Sequence, residues 1–476
     1  MVFSTYSFLF LFFPVAFFVY HPIRIATERG SFLKKIQLDS IVLLLISLVF
    51  YGWAEICTLP CIILIAFLVR LGGLRIHRLG EKSRAFVLGA GILLAVLLIG
   101  IKSFHMVNLR LAQHFGPERI PVIDLIVPLG VSYLAFSSIS YLADCRKEDP
   151  GSFVDCFLYL FFFPKVVSGP IVKWREFSQG RQTPDAAAVR KGLGRIIIGM
   201  AKKLLISDRI AWLIYSMQHY NIGGLDTASA WILCFAYYLQ IYFDFSAYSD
   251  IAVGLGGCFG YGLKENFDHP YVSCSVSEFW RRWHISLGAW FREYLYIPLG
   301  GNRKGSLRTC GNLFLVFAAC GVWHGVGVGY LIWGCMHGVL VVTERLLEKK
   351  AVFKKIPLFF GYLYTQFFVM LGWLFFLFNS AGGAVAHLKQ MLGMGGQGQV
   401  VLKWNYFVRG SQATLLVLAF ILALLPGLPA YERFRSRFKE NKGLSVAGAA
   451  LLLLLFVAGI AAMANNGYSP FIYFQY

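Results

Sequence analysis

Long apolar runs, separated by short polar or basic stretches, extend along the chain from its first residues to its last. The clearest runs cover residues 41–51 with their flanks, 85–101, 413–425 and 444–463. Because a membrane-spanning helix needs roughly 20 mainly apolar residues, the pattern predicts roughly ten to twelve membrane-embedded helices. The first run, residues 9–20, has no basic residues before it and no small-residue cleavage site after it, so we expect a retained span. The predicted fold class is an all-α polytopic membrane protein.

Prolines and basic residues in the centre of the chain predict that some helices are broken or re-entrant, around a central cavity. Pro128, Pro164 and Pro170 lie in apolar sequence, where each removes a backbone hydrogen-bond donor. The segment 173–195 carries six basic residues where simple alternation of spans would place it outside the cell. We therefore expect at least one earlier apolar stretch to re-enter the membrane instead of crossing it.

We expect a single membrane-embedded domain over residues 1–476. Within it, residues 1–120 supply N-terminal helices, residues 121–345 the catalytic core and residues 346–476 C-terminal helices.

The composition agrees with a membrane protein and gives the net charge a simple explanation. Hydrophobic residues make up 58% of the chain and charged residues 14%, and the formal net charge is +20. Basic residues gather beside apolar segments at residues 24–35, 75–84 and 433–439. Since Lys and Arg accumulate in cytoplasmic loops, membrane topology explains them better than a nucleic acid or another acidic partner. The ten cysteines are scattered without a C-x-x-C pair, so neither disulfides nor a zinc site is predicted.

Polar and ionisable residues crowd into one aromatic, membrane-like region, from about residue 237 to residue 338. Ionisable groups inside a membrane are costly unless they are paired or face water, so such a cluster indicates a functional site. The cluster contains Asp244, Asp250, Asn266, His269, the segment 278–284, Arg292, Glu293, Asn302, Arg303, His324 and His337.

Residue spacing excludes several chemistries for this cluster. The ten histidines never fall within four residues of one another, whereas iron-dependent membrane desaturases need closely grouped histidines, so no metal site is predicted. The motifs of serine hydrolases and P-loop proteins are absent. The glycine-rich residues 254–257 follow an aromatic helical segment instead of a strand, which predicts close helix packing instead of a dinucleotide site.

After these exclusions, the chemistry left for the cluster is general-base catalysis by a buried histidine. A neutral imidazole accepts a proton from a hydroxyl, and such catalysis contributes roughly 10²- to 10⁴-fold. His324 follows Trp323 and is flanked by Gly321 and Gly325, which permit close approach of a ligand or a backbone. On these residues alone, a catalytic His324 and a structural histidine between helices are equally favoured.

A series of short motifs runs along nearly the whole chain. The motifs are residues 1–4, 128–132, 163–164 with 169–171, 242–246, 265–267 with 270–271, 278–286, 290–292, 294–303, 323–325 and 468–475. Each motif is short, but in this order they specifically resemble the bacterial branch of the membrane-bound O-acyltransferase family, and most of all its alginate and peptidoglycan O-acetyltransferases.

The resemblance implies that His324 is the essential histidine of the family and His284 a second, supporting one. It implies transfer of an acetyl group from a cytoplasmic thioester donor, acetyl-CoA, for O-acetylation of an exported or cell-envelope polysaccharide such as alginate or peptidoglycan. No bound cofactor is expected, and a periplasmic or extracellular acetyltransferase often acts as partner. The implied location is the cytoplasmic (inner) membrane of a bacterium, with several passes through the lipid bilayer.

We expect His324 to deprotonate the acceptor hydroxyl and His284 to orient the acceptor or stabilise charge, and acetylation of His324 itself is an open alternative. Arginine and tryptophan side chains of residues 280–283 are expected to hold the anionic donor near the cytoplasmic mouth. Anchoring at the cytoplasmic face explains the two arginines equally well, and helix–helix hydrogen bonding is favoured for Asp244 and Asp250. The predicted substrate-binding residues are Trp323, Trp280, Arg281, Arg282, Trp283, Asn266, Asp250 and Arg292.

Two other classes of protein stay open. An ion-coupled transporter would use Asp244, Asp250 and the broken helices, although the related halves common in such folds are not evident in the sequence. A scaffold of a polysaccharide-export complex would turn over no substrate.

Overall fold

The structure is a computed structural model. It describes residues 3–116, 118–123, 125–219, 224–349, 356–394, 402–431, 433, 436, 442–465 and 471. Met1 and Val2 of the first motif, most of the basic run 433–439, and the C-terminal motif except Phe471 lie outside the described residues.

Helices make up almost all of the regular structure in these residues, because a helix satisfies its own backbone hydrogen bonds in an apolar surrounding. A π-helical turn, Ser7–Phe12, precedes the first α-helix, and a 3₁₀ turn, Gly80–Ser83, separates α4 from α5. The first ten α-helices are α1 (Phe13–Arg29), α2 (Ser31–Lys35), α3 (Leu38–Ala54), α4 (Leu59–Leu79), α5 (Arg84–Phe115), α6 (Val131–Asp144), α7 (Phe153–Phe161), α8 (Phe163–Val166), α9 (Trp174–Gln179) and α10 (Ala186–Ala201).

The second half of the chain continues in the same way. Its short π-helical turns are Lys202–Ser207 and Arg292–Tyr296, and its 3₁₀ turns are Pro270–Val272 and Leu425–Gly427. The α-helices are α11 (Asp208–His219), α12 (Thr227–Cys258), α13 (Val276–Arg282), α14 (Ile285–Phe291), α15 (Ser306–His324), α16 (Val328–Lys349), α17 (Leu358–Phe378), α18 (Ala381–Met391), α19 (Trp404–Phe407), α20 (Gly410–Leu424) and α21 (Lys442–Asn465).

Seven helical segments in the described part of the chain are long and apolar enough to cross a membrane. One of them contains both α4 and α5, and α3 is a shorter apolar helix. Large apolar side chains such as Phe18, Leu93 and Leu454 are exposed on these segments, as expected where lipid is the solvent. The prediction of an all-α polytopic membrane protein is confirmed. The seven segments are Ser7–Arg29, Leu59–Phe115, Ser306–His324, Val328–Glu348, Leu358–Phe378, Gly410–Gly427 and Val446–Ala464.

The chain divides into two compact units. Unit 1 comprises Met1–Ile196 and Ser249–Lys264, and unit 2 comprises Ile197–Tyr248 and Glu265–Tyr476. The expected single domain with divisions at residues 120 and 345 stays a prediction.

Within unit 1, helices break in the proline-containing region, as predicted. The helix α8 contains Pro164 and is four residues long, and residues 170–173 are buried without helical structure. Side chains supply hydrogen bonds here, since the hydroxyl of Ser47 accepts from the backbone N–H of Phe163 at 3.2 Å. Non-helical backbone is thus buried in protein, which is the condition for its tolerance at membrane depth.

The glycines of residues 254–257 take part in close helix packing, as predicted. A Cβ atom on Gly192 of α10 would stand 2.6 Å from the carbonyl oxygen of Gly254 in α12, and one on Gly254 would stand 2.6 Å from the carbonyl oxygen of Gly192. No side chain fits at either position, so the two helices meet at backbone contact within unit 1.

In unit 2, a buried carboxylate holds the start of α13 against α16. Glu344 is 1% exposed and accepts hydrogen bonds from the backbone N–H groups of Val276 at 2.6 Å and Ser277 at 2.7 Å. These groups belong to the first turn of α13, where backbone donors have no partner within the helix. Glu344 therefore fixes the segment that leads to His284.

Candidate active site

Tight packing of α15 against α16 sets the position of His324. His324 is the last residue of α15, and the chain turns through residues 325–327 into α16. A Cβ atom on Gly321 would stand 2.5 Å from the carbonyl oxygen of Tyr330, and one on Gly334 would stand 2.5 Å from that of Phe317. Gly321 therefore lets the backbone of α16 approach α15 closely. The sequence predicted close approach of either a ligand or a backbone at this glycine, and the structure shows a backbone there.

His324 is surrounded by aromatic rings and is 4% exposed. Its ring centroid lies 4.4 Å from that of Trp323, 4.9 Å from that of Phe376 and 5.1 Å from that of Trp333. The contacts with Phe376 and Trp333 are edge-to-face, an arrangement that aromatic pairs favour. Rigid rings on several sides thus hold the imidazole in one orientation.

His284 approaches the same tryptophan in unit 2. It immediately precedes α14, is 2% exposed and has φ 45° and ψ 52°, a left-handed conformation that is uncommon for a residue other than glycine. Its ring lies 4.6 Å from Phe245 and 6.4 Å from Trp323. Since Trp323 also contacts His324, the two histidines of the predicted site both lie near one indole ring.

Asn266 determines which nitrogen of His284 carries the proton. The side-chain oxygen of Asn266 accepts hydrogen bonds from the backbone N–H of Ser286 at 3.1 Å and from the Ser286 hydroxyl at 2.8 Å. A backbone N–H only donates, so this atom is the amide oxygen and not the amide nitrogen. Nδ1 of His284 lies 3.2 Å from the same oxygen and must therefore donate to it. In the neutral ring, Nε2 is then the nitrogen with a lone pair.

The polar side-chain atoms of His284 and Asn266 that have no partner among the described residues are suited to bind a hydroxyl group. His284 lies outside the seven candidate spans, and burial lowers the pKa of His284 to about 3, so the ring is neutral at physiological pH. Nε2 of His284 and Nδ2 of Asn266 are both buried and make no hydrogen bond with the residues that the structure describes. The first can accept a hydrogen bond and the second can donate one, and a hydroxyl group can do both in return.

His337 is a third histidine in the same cluster. It lies on α16, is fully buried and has its ring centroid 5.1 Å from that of Trp280 and 5.3 Å from that of Trp333. The indole N–H of Trp280 donates to Nδ1 of His337 at 3.3 Å. The sequence singled out His337 only as a second His-Gly pair, without a role.

Two tryptophans of the predicted site, Trp280 in α13 and Trp283 directly after it, belong to this aromatic cluster. Trp280 lies 5.5 Å from Trp333, and Trp283 lies 4.9 Å from Trp373, between ring centroids. Both therefore help to build the walls around the histidines.

The predicted arginines have different surroundings. Arg281 and Arg292 are exposed. Arg282 is partly exposed, and its guanidinium pairs with Glu278 at 3.0 Å and with Asp268 at 3.4 Å. Donor binding and anchoring at the membrane face both stay open for these side chains.

Two carboxylates of the predicted cluster have basic partners. Asp250 belongs to unit 1, where it pairs with Arg195 at 2.7 Å. Asp244 belongs to unit 2, where it pairs with Lys203 at 2.7 Å, and Lys203 also lies 2.7 Å from Asp208. These pairs agree with the structural role that the sequence favoured, and substrate binding by Asp250 stays a prediction.

Sequence reasoning missed several residues that shape the site. Aromatic residues make up 17% of the chain, so a single aromatic position carries little signal until its contacts are known. The missed residues are Tyr330, Trp333, Glu344, Trp373 and Phe376.

Comparison with known proteins gives one family across most of the chain. The model of the membrane-bound O-acyltransferase family (MBOAT) matches residues 24–381. The probable alginate O-acetylase AlgI of Pseudomonas putida is 33% identical over 100% of both chains. The peptidoglycan O-acetyltransferase of Helicobacter pylori is 32% identical over 83% of this chain and 80% of its own. The teichoic acid D-alanyltransferase of Bacillus subtilis is 30% identical over 50% of this chain and 63% of its own.

Proposed function

The chain belongs to the membrane-bound O-acyltransferase family, and from that premise we propose that it takes acetyl groups from acetyl-CoA on the cytoplasmic side of the membrane for transfer to polysaccharide hydroxyls. It is a multi-pass membrane O-acyltransferase, and its relatives support O-acetylation of a polysaccharide. Members of the family use an acyl donor instead of a bound cofactor. Acetyl-CoA, its side of the membrane, and alginate or peptidoglycan as acceptor are the finer parts of the proposal.

The observation that carries this proposal is the pair of buried histidines whose rings both lie near the indole of Trp323. His324 is walled by aromatic rings, and His284 has a buried Nε2 whose lone pair makes no hydrogen bond with described residues. A base and a hydrogen-bond acceptor beside one ring are what activation and orientation of a hydroxyl require. The catalytic and binding roles of all these side chains are part of the proposal.

In the proposed reaction, His324 takes the proton of the acceptor hydroxyl while that oxygen adds to the carbonyl carbon of the thioester. The carbon–sulfur bond then breaks, and the leaving thiolate takes the proton from His324 to give free CoA. His284 accepts a hydrogen bond through Nε2 from a second hydroxyl of the acceptor, and the side-chain amide of Asn266 holds His284 in the required tautomer. No redox step and no metal are needed for this balance.

We further propose that the protein lies in the inner membrane of a bacterium and acts together with a periplasmic acetyltransferase partner. The bacterial origin of the relatives supports this location. The exposed guanidinium groups of Arg281 and Arg292 are proposed to bind donor phosphates, for which arginine has a suitable bidentate geometry.

The proposed donor and its side are tested with sealed inside-out membrane vesicles from cells that express the chain. Radiolabelled acetyl-CoA is added outside, and free CoA and labelled polysaccharide are measured. We expect release of CoA outside the vesicles together with labelled polysaccharide, and neither product in right-side-out vesicles. If acetyl-CoA stays intact in both preparations, the proposed donor is wrong. Ion-driven uptake without loss of the thioester would favour a transporter instead.

Replacing His284 with Ala is expected to lower the rate of acetyl transfer by about 10- to 100-fold, because the acceptor loses one hydrogen bond but keeps the base. The measurement is the initial rate in vesicles that contain equal amounts of protein. His114→Ala is the matched control, since His114 is exposed on α5 and should be replaceable without effect. Wild-type rates in His284→Ala would assign His284 to structure alone.

A further inference from the structure

Two neighbouring hydrogen-bond donors lie on α16 in unit 2, and one of them contacts His324. Trp333 and His337 are one helical turn apart, so they share one face of the helix. They are 1% and 0% exposed, and their ring centroids are 5.3 Å apart. Trp333 also contacts His324 edge-to-face at 5.1 Å. Trp333 therefore borders the imidazole that is proposed to act as the base, and His337 lies next to Trp333 on the same face.

The hydrogen bond from Trp280 fixes the tautomer of His337. An indole nitrogen donates a hydrogen bond and never accepts one, so Nδ1 of His337, 3.3 Å away, is the acceptor. The single proton of the ring is then on Nε2. A charged imidazolium carries protons on both nitrogens and is incompatible with this bond. His337 therefore presents an N–H donor at Nε2, whereas His284 presents a lone pair at the corresponding atom.

Both donors lack a hydrogen-bond partner among the described residues. Nε2 of His337 and Nε1 of Trp333 are buried and make no hydrogen bond to any described residue. Buried N–H groups in native proteins almost always have a partner, so two neighbouring exceptions need an explanation. Gly372 of α17 packs against the same face of α16, since a Cβ atom there would stand 2.7 Å from Nε2 of His337 and 3.4 Å from Cδ1 of Trp333, the atom bonded to Nε1. Any side chain at position 372 would press on both donors, so a substitution there would disturb them directly.

We propose that Nε2–H of His337 and Nε1–H of Trp333 donate hydrogen bonds to the carbonyl oxygen of the acyl thioester and stabilise the oxyanion formed during transfer. This assignment rests on the proposed acyl transfer. When the acceptor oxygen adds to the carbonyl carbon, the electron pair of the C=O π bond moves to the oxygen, and the acceptor proton goes to His324. When the carbonyl re-forms, the carbon–sulfur bond breaks, and the thiolate takes that proton. The two donors keep their protons throughout.

This role differs from that of the other two histidines. Nε2 of His337 already carries a proton, so it cannot act as the base. Donors held in a buried, rigid site are effective because they need no reorganisation when charge develops on the oxygen. A group of this kind favours the transition state over the bound donor, so its loss lowers kcat more than it raises KM.

The test compares two substitutions that separate the two nitrogens of His337. In His337→Asn, the side-chain oxygen can still accept from Trp280, but no donor remains at the position of Nε2. In His337→Gln, the amide nitrogen replaces the donor at the position of Nε2, while the acceptor for Trp280 is lost. We expect about 100-fold lower kcat for His337→Asn with KM within about twofold, and kcat within about tenfold of wild type for His337→Gln. The readout is polysaccharide acetylation in membrane vesicles with equal protein levels.

If the role of His337 were purely structural, His337→Asn would be more active than His337→Gln. His337→Asn preserves the hydrogen bond from Trp280, and His337→Gln removes it. The proposal would be overturned if His337→Asn kept its activity, or if kcat of His337→Gln fell as far as kcat of His337→Asn. If His337→Gln does not accumulate, Trp333→Phe decides, since it removes the N–H donor and keeps an aromatic ring at this position. About 10- to 100-fold lower kcat supports the donor pair, and an unchanged kcat contradicts it.

The same vesicles distinguish failure of this pair from failure of the proposed function. Full activity of His337→Asn beside an inactive His324→Ala contradicts the donor pair alone. Full activity of His324→Ala, or a wild type that acetylates no polysaccharide, contradicts the acyl-transfer site and the donor pair with it.

Discussion

Acetyl transfer by the His324→Ala variant is expected to fall by about 10⁴-fold, close to the background rate. His324 is the proposed base, and the other histidine ring near Trp323, that of His284, has its Nε2 assigned to a second hydroxyl. General-base catalysis alone supplies roughly 10²- to 10⁴-fold, and groups that act as a unit lose most of their joint effect when one is removed. The initial rate of CoA release in vesicles measures the loss.

Two controls accompany this measurement. His114→Ala should keep wild-type activity, since it replaces an exposed histidine far along the sequence from the cluster. His324→Ala should still insert and purify, because removing one ring from contacts with Trp323, Trp333 and Phe376 leaves the other aromatic contacts in place. Activity of His324→Ala above about a tenth of wild type would show that another group is the base.

The Lys203→Ala variant is expected to lose about 3 to 5 kcal/mol of unfolding free energy. Lys203 and Asp244 are each 1% exposed, and Lys203 lies 2.7 Å from the carboxylates of both Asp244 and Asp208. Removing the ammonium group leaves two carboxylates buried without their cation, which is the costly way to break a buried ion pair. Chemical unfolding of the purified protein in detergent measures the loss.

A surface ion pair provides the control for this effect. Arg146 pairs with Glu81, which is 72% exposed, so Arg146→Ala should cost at most about 1 kcal/mol. Replacing Lys203 by Met and both carboxylates by Asn should restore much of the lost stability, because no buried charge remains. Equal stability of Lys203→Ala and Arg146→Ala would contradict a structural role for this ion cluster.

The ion pairs also bear on the transporter alternative. Asp244 and Asp250 were the candidate coupling residues, yet Asp244 pairs with Lys203 and Asp250 with Arg195. A carboxylate that neutralises a neighbouring base in this way is a weaker candidate for cation uptake than one that faces a wet cavity. The pairs favour a structural role for both residues.

Local sequence was sufficient to predict the helical membrane fold, the broken region near Pro164 and the close packing at Gly254. Each of these follows from composition or from residue types within a few positions, since apolar length, proline and glycine act on the local backbone. The ordered motifs also identified His284 and His324 as the histidines to examine, although their catalytic roles remain proposals.

Local sequence was insufficient for the features that depend on distant contacts. Substrate binding by Asn266 stays a prediction. The hydrogen bonds that its side-chain oxygen accepts from His284 and Ser286, eighteen and twenty residues away, add a tautomer-setting role that spacing does not reveal. His337 had no predicted role, because its bond from Trp280 joins residues 57 positions apart. Only the folded structure shows that Nδ1 is the hydrogen-bonded ring nitrogen in both His284 and His337.

The most direct test of His324-dependent polysaccharide acetylation is mass spectrometry of surface polysaccharide from cells that lack the wild-type gene and carry either the wild-type chain or His324→Ala. We predict O-acetyl groups on the polysaccharide with the wild-type chain and none above background with His324→Ala at equal membrane levels. Full acetylation of the polysaccharide in cells with His324→Ala would contradict this central claim.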